Sequence, residues 1–537
     1  MFAVVAGVSG SVSADSTSPQ NAVKTATPIK HLVVIFNENR SYDHYFGTYP
    51  YATNPPGQPV FTAKANTPKS NNLVANPTLL SMNGNASTAL NGTDAANPFR
   101  LDRTQANTQS QSHAYTAEQQ AYDNGKADLF PKFTGKGTPG GAGAFGTKGQ
   151  VMGYFDGNTV TAFWNYAQNF AMNDNAYTDS YGPSTNGAIN VISGQTNGVQ
   201  MTAGTAPNGN VINDGAGGLT LIGDVDPGFD VCSSTSSAAI LTGPNIGDML
   251  NTANLTWGSF MGGFSLVAKN ANGSTGCQRS TFSAVLNGTK TDYVPHHAWF
   301  QYYVSTANPQ HLRPSSTAAV GYTQVNGVKD PANHGYDLQD FYDAVSSGNY
   351  PSVSYIKMSA YQDGHAGNSD PLDEQAGNVA LINFLQQQPD WNSTAVIITY
   401  DDSDGFYDHA YAAPTTASYD ASVDQVNGAG QCGRGVNVQP QPLGLKGLPV
   451  NGRCGPGTRV PFIVVSPFAK KNFISHTVIS QASVVRFIQD NWLNGRRLGG
   501  GSVDATAGSI VDMFDFNKAP RTDKLNLDPS TGTVATN

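Results

Sequence analysis

The sequence predicts an α/β fold, a mainly parallel central sheet with helices on both faces. Two observations carry this: short apolar runs rich in β-branched residues recur far apart in the chain, and helical patterns stand between them. Residues 31–36, HLVVIF, form the first run, and a continuous apolar stretch of this length suits a strand covered on both faces. Residues 353–357 (VSYIK), 395–400 (AVIITY) and 460–465 (VPFIVV) give three further strands. Residues 374–388 place Val379, Leu381, Ile382 and Leu385 near helical spacing, and residues 481–492 repeat this with Val484, Val485, Ile488 and Trp492.

Composition sets the scale. The 537 residues include 58 glycines and 31 prolines, yet 39% hydrophobic content with 25 Phe and 23 Tyr can fill a large core, which argues against disorder. Residues 28–513 read as one large domain with long polar loops. Within it, residues 190–345, rich in Gly, Asn, Ser and Thr and without a clear period, read as an insertion or cap over the sheet edge. Residues 514–537 read as a polar tail, and residues 1–27 as a leader remnant and polar lead. The apolar run 2–8, followed by Val12-Ser13-Ala14, resembles an export leader truncated at its start and cut after Ala14.

The four cysteines, Cys232, Cys277, Cys432 and Cys454, include no CxxC pair, which argues against a thiolate zinc site. Their order suggests two local bridges, Cys232–Cys277 and Cys432–Cys454, with four buried free thiols as the alternative. Bridges would agree with export, to the periplasm or beyond. Net charge is −9 and no Lys/Arg cluster stands out, so no nucleic-acid partner is expected. No later stretch approaches the roughly 20 apolar residues of a bilayer span, so no transmembrane segment is expected.

Ligands of open α/β sheets gather beyond the carboxyl ends of strands. After the first run come Asn37, Glu38, Asn39 and Arg40; after 395–400 come Asp401, Asp402, Ser403 and Asp404. If those strands are neighbours, three carboxylates and an amide converge, and such crowding calls for a hard divalent cation. The plainer alternative is that Asp401-Asp402 caps a turn and Glu38 pairs with Arg40. In residues 181–187, YGPSTNG, Gly-Pro and Asn-Gly bracket a Ser-Thr pair, so the bend presents Ser184 at a helix start, as nucleophile or as simple cap. His113, His296, His297 and His365 lie in polar, Gly- or aromatic-flanked contexts and can hold a phosphoryl oxygen or protonate a leaving group.

Together these segments resemble the bacterial phosphoesterase family, which contains acid phosphatases and phosphatidylcholine-hydrolysing phospholipases C within the alkaline-phosphatase-like superfamily. Residues 31–47, HLVVIFNENRSYDHYFG, are similar to its opening signature. His113-Ala114-Tyr115 with Glu118-Gln119-Gln120-Ala121 resembles the second block, and YGPSTNG the nucleophile block. Residues 361–374 (YQDGHAGNSDPLDE) and 397–409 (IITYDDSDGFYDH) resemble the later ones. The resemblance spans about residues 28–495 and is weakest in the middle. The serine version of the nucleophile block looks closest to the acid phosphatases, since many of the family's phospholipases carry threonine there. Asn186 stands where related phosphatases often have proline.

The resemblance implies one divalent metal ion held by Glu38, Asn39, Ser184, Asp401 and Asp402, with calcium, magnesium, manganese, zinc and iron all admissible. It implies that His113, His296, His297 and His365 surround the phosphoryl group and that Ser184 forms a phosphoserine. The expected function is a secreted or periplasmic bacterial acid phosphatase acting on small phosphate esters, with an optimum on the acid side. The alternative is a phospholipase C acting on phospholipids, for which Met261, Phe264 and Leu266 are candidate residues of an apolar cleft mouth. A non-catalytic binding protein is disfavoured because the five candidate ligands are intact. A sulfatase is disfavoured because Ser184-Thr185-Asn186-Gly187 lacks that class's Pro and Arg.

Overall fold

A computed structural model describes residues 18–433 and 440–535. The apolar run at 2–8 and the Ala14 junction lie outside the described residues. The central sheet contains β1 (His31–Asn37), β2 (Ala171–Asn173), β3 (Trp257–Met261), β4 (Gly335–Asp337), β5 (Val353–Lys357), β6 (Thr394–Tyr400), β7 (Phe462–Val465) and β8 (Phe473–Ser475). Their order is β4-β3-β5-β1-β6-β7-β2-β8. Only β7 runs against its neighbours; every other pairing in the sheet is parallel. Every residue of β1 and β6 is buried, so both faces are covered, as their unbroken apolar composition requires.

The helices that frame the sheet include α1 (Tyr115–Tyr122), α2 (Thr161–Asn169), α3 (Ser184–Ser193), α4 (Leu338–Ser346), α5 (Pro371–Gln386) and α6 (Ala482–Trp492). The four strands and two helices expected from the sequence are all present. Four sheet strands were not expected. β2, β4 and β8 are three residues each, and β3, WGSFM, carries Gly and Ser where a β-branched run would signal a strand.

Residues 190–345 are more than a cap. They extend the sheet with β3 and β4, and β3 lies in register beside β5 from Trp257↔Val353 to Met261↔Lys357. Met261 and Phe264, expected at a cleft mouth, are instead buried, because one belongs to β3 and the other packs beneath His311. The C-terminal segment is also not a loose tail. Phe514 and Leu527 are buried in the main core, and Leu527 exchanges hydrogen bonds with Asn383 of α5. Cys232–Cys277 and Cys432–Cys454 are both bridged. Among the described residues, no helix is long and apolar enough to cross a membrane.

Candidate active site

β1 and β6 lie side by side in register from His31↔Thr394 to Asn37↔Tyr400, so the residues that follow them leave the sheet together. The pairing continues past the strands: Asn39 N donates to Asp401 Oδ1 at 2.8 Å, and Arg40 N to Asp402 O at 2.9 Å. Asn39 takes the left-handed conformation (φ 58°), which asparagine tolerates better than most side chains. Glu38 does not pair with Arg40, whose guanidinium donates to Gly364 O; Glu38 faces Lys357 and His297 instead. Asp401 does serve its turn, accepting the Asn39 and Asp402 amides, and still reaches the cluster.

Ser184 opens α3 and completes the cluster. Its Oγ lies 2.9 Å from Glu38 Oε2, 3.2 Å from Asn39 Oδ1 and 3.3 Å from Asp402 Oδ2. The loop before it is shaped by Gly182 (φ 116°), where a Cβ would sit 2.6 Å from Asn186 Nδ2. That Asn186 amide donates to Tyr181 O at 2.9 Å and clamps the turn. Asp224 Oδ1 accepts Thr185 N at 3.0 Å and Thr185 Oγ1 at 2.9 Å, fixing the first turn of the helix. A Cβ on Gly187 would stand 2.1 Å from Asp401 O, so α3 reaches the β6 loop only because residue 187 is glycine.

The donor set itself tests whether a cation fits. Four other oxygens, from Glu38, both sides of the Asp401 carboxylate and Ser184, lie 2.8–3.2 Å from the inward atom of the Asn39 amide. Turned inward, the amide nitrogen would donate to them; turned inward, the oxygen accepts from the Ser184 hydroxyl and otherwise faces carboxylate oxygens, a crowding that a cation would relieve. His365 decides between these. Its Nδ1 lies 2.7 Å from Ala366 O and must carry a proton, and its Nε2 lies 3.1 Å from the outward Asn39 amide atom. Burial and the neighbouring His113 lower the His365 pKa, favouring the neutral ring, whose Nε2 can only accept. With His365 neutral, the outward amide atom is the nitrogen, which also lies 3.4 Å from Asp404 Oδ1, and the inward one the oxygen. Burial and Asp401 also push the Asp402 carboxyl well above its ordinary range, the mark of crowded carboxylates that a divalent cation would relieve. Glu38, Asn39, Ser184, Asp401 and Asp402 form an all-oxygen nest suited to such an ion.

All four expected histidines border this nest, and their surroundings sort them. His113 Nδ1 is 3.1 Å from Asp404 Oδ1; burial works against its charge, but Asp402 and Asp404 raise its pKa well above the usual value. His296 is likewise raised, against burial, by Asp224 and Asp226. His297, 3.2 Å from Glu38 Oε1, has its pKa lowered well below the usual value, by burial first and then by the neighbouring histidines, His296 foremost. His365 belongs with it. Their surroundings thus raise two of the four imidazole pKa values and lower the other two.

Several residues went unassigned in the sequence. Glu118 of α1 accepts Gly182 N at 3.1 Å and Ser403 Oγ at 2.8 Å, tying the nucleophile loop to the β6 loop. Asp404 accepts Ser110 Oγ at 2.9 Å and Gln111 N at 3.0 Å while facing His113. Lys357, the last residue of β5, places its ammonium against Glu38. Its position at a strand's carboxyl end was a readable signal; Asp224, in a segment without pattern, gave none. A groove of about 460 Å³ lined by Leu219, Leu445 and Leu448 contains none of these residues.

The sequence profile described as "Phosphoesterase family" matches residues 29–493. The hemolytic phospholipase C of Pseudomonas aeruginosa is 24% identical over 94% of this chain and 58% of its own length. The non-hemolytic phospholipase C of Burkholderia pseudomallei is 24% identical over 92% of this chain and 60% of its own. The chain thus spans about 60% of the length of these two relatives. Phospholipase C A of Mycobacterium tuberculosis is 23% identical over 93% of this chain and 80% of its own length. Among solved structures, a Vibrio parahaemolyticus protein of the alkaline phosphatase superfamily covers 65% of this chain and 62% of its own at 9% identity, with a TM-score of 0.27. That level adds nothing to the topology read from the strands directly. With the profile matched across most of its length, the chain belongs to the phosphoesterase family.

Proposed function

We propose that the protein is a cation-dependent phosphodiester hydrolase of the phospholipase C kind, acting through Ser184. The observation that carries this is the nest of oxygens around Ser184 Oγ at the start of α3. The choice of diester rests on relatives named phospholipases C, in place of the acid phosphatase that the nucleophile block suggests. A divalent cation held by Glu38, Asn39, Ser184, Asp401 and Asp402 would neutralise the carboxylates and favour negative charge on the serine and phosphoryl oxygens.

Ser184 Oγ attacks phosphorus in line with the departing oxygen, and its proton has Glu38 Oε2 at 2.9 Å as an acceptor. The amino end of α3 favours the negative charge that develops there. His113 and His296, whose acidic neighbours favour the protonated ring, hold phosphoryl oxygens and supply the proton to the leaving group. His297 and His365 position the groups they touch, Glu38 and Asn39. Water then cleaves the phosphoserine. Two disulfides support an exported protein, which we include in the proposal.

The test is hydrolysis of a chromogenic phosphate monoester and a phosphocholine diester, from acid to alkaline pH, by the wild type and Ser184→Ala. Preference for the diester, lost in the variant, is expected. Preference for the monoester would restore the acid phosphatase reading, which the serine nucleophile favours. No turnover of either ester with cation bound would overturn both.

A further inference from the structure

Residues 190–345 contain a second buried cluster that the proposed chemistry does not use. Asp230 accepts from His311 Nε2 at 3.0 Å, Gln301 Nε2 at 2.9 Å, Cys232 N at 2.7 Å and the Tyr293 hydroxyl. His311 stacks on Phe264 with centroids 3.9 Å apart, and its Nδ1 meets Phe264 O at 2.8 Å. Cys232 is bridged to Cys277, so this is a brace and not a metal site.

The brace holds apolar side chains out in solvent. Val231 (47% exposed) adjoins Asp230, Leu312 (51%) adjoins His311, and Val267 (78%) follows Phe264 by three residues. Phe282 (56%) belongs to a hairpin pairing Ser280–Ser283 with Gly288–Thr291. One hairpin face is tied down: Ser283 Oγ donates to Asp373 Oδ2 at 2.5 Å and Lys290 Nζ to Gly367 O at 2.6 Å. The strand alternation then turns Phe282, opposite Thr289, away from the protein. Gly367 is two residues from His365, and the hairpin's last residue, Thr291, is five from His296, so the hairpin borders the site.

Charge points the same way. The chain carries a net charge of −9, yet residues 264–291 hold Lys269, Arg279 and Lys290 and no acidic residue. Arg279 is neutralised by Asp337 at 2.7 Å, and Lys290 is tied to Gly367 O on the inner hairpin face near Asp373, which leaves Lys269, two residues from the exposed Val267, as the outward positive charge of this segment. Asn270 Nδ2 donates to Ser280 O at 2.9 Å and Thr281 Oγ1 at 3.1 Å, which joins the Val267–Lys269 segment to the hairpin that carries Phe282, and an outward aromatic, an exposed valine and a lysine on one braced unit suit the boundary between lipid headgroups and acyl chains.

We propose that this braced unit docks the enzyme on a phospholipid surface, with Phe282 and Val267 entering the headgroup layer and Lys269 against lipid phosphates. The proposal rests on the phospholipase C reading of the Ser184 site. The experiment is sedimentation of the Ser184→Ala protein with phosphatidylcholine–phosphatidylglycerol vesicles, with and without Phe282→Ser and Val267→Ser together. The parent is expected to sediment and the substituted protein to bind roughly tenfold or more weakly. With Ser184 restored, the two substitutions should lower vesicle hydrolysis by a similar factor and leave turnover of a soluble phosphocholine diester unchanged. A parent that ignores vesicles, or a substituted protein that binds as well as its parent, overturns the docking unit. Self-association abolished by the same substitutions, without vesicle binding, would assign the surface to a second copy and overturn it too. Loss of soluble-diester turnover in the unsubstituted enzyme would instead overturn the phospholipase reading, while sedimentation still decides docking.

Discussion

Two regions meet at the candidate site, and they are built differently. The β1/β6 edge sets Glu38, Asn39, Asp401 and Asp402 on adjacent strands in continuous register, with α3 packed so closely that Gly187 has no room for a side chain. The rim from residues 190–345 delivers His296 and His297 from a short turn and holds its shape through a disulfide, a hairpin and a buried aspartate. The edge fixes the nucleophile by backbone pairing; the rim positions histidines and surface by side-chain ties. Backbone pairing on the edge leaves the nucleophile little freedom, whereas the rim depends on individual side-chain ties that single substitutions can remove.

The largest break should come from Ser184→Ala, which removes the nucleophile and lowers turnover by roughly four powers of ten, read with the soluble diester. Gly187→Ala attacks the edge without touching the chemistry. Its methyl would meet Asp401 O, costing about 1–3 kcal/mol of stability in denaturant melts and on the order of a hundredfold in turnover. The same exchange at Gly288 in the rim hairpin, where the nearest atom is Leu286 O at 3.8 Å, should alter neither.

Glu118→Gln sharpens the comparison through pH. Burial raises the Glu118 pKa from 4.5 to about 7, so its folded-state pKa exceeds the unfolded one. The protonated acid favours the folded state fully below about pH 4.5, and that stabilisation is lost as pH rises through about 7. Stability of the wild type should therefore fall across this window by more than that of the glutamine variant. At neutral pH the variant should also lose about 1–2 kcal/mol, because only one of its amide atoms can accept from Gly182 N or Ser403 Oγ. The smallest effect belongs to the rim: Tyr293→Phe removes one hydrogen bond to Asp230 and should cost about 1 kcal/mol of stability with soluble-ester turnover unchanged.

The same contrast explains what could be read from sequence. β1, β5, β6 and β7 are buried apolar runs, and the residues just beyond β1 and β6 announce chemistry by their position alone. Applied to β5, that rule also points to Lys357. The histidines are different: nothing in a ten-histidine chain selects His113 or His296, and only the family resemblance did so. β3 stayed hidden because Gly and Ser break its apolar run, although packing against β5 and β4 buries all five residues. Glu118 and Asp224 act through backbone amides of distant loops, contacts that leave no local pattern. Phe282 is one apolar residue in a polar stretch, and only the pinned hairpin shows which way it points.

On this mechanism the oxygen nest works only around a cation. The direct measurement is turnover of the soluble diester by protein stripped of metal, with residual metal verified by elemental analysis, followed by stepwise return of divalent cations. No turnover is expected in the stripped protein, with recovery in proportion to one bound cation, and Asp401→Asn should neither bind nor recover normally. Full turnover by the verified metal-free protein would contradict this mechanism.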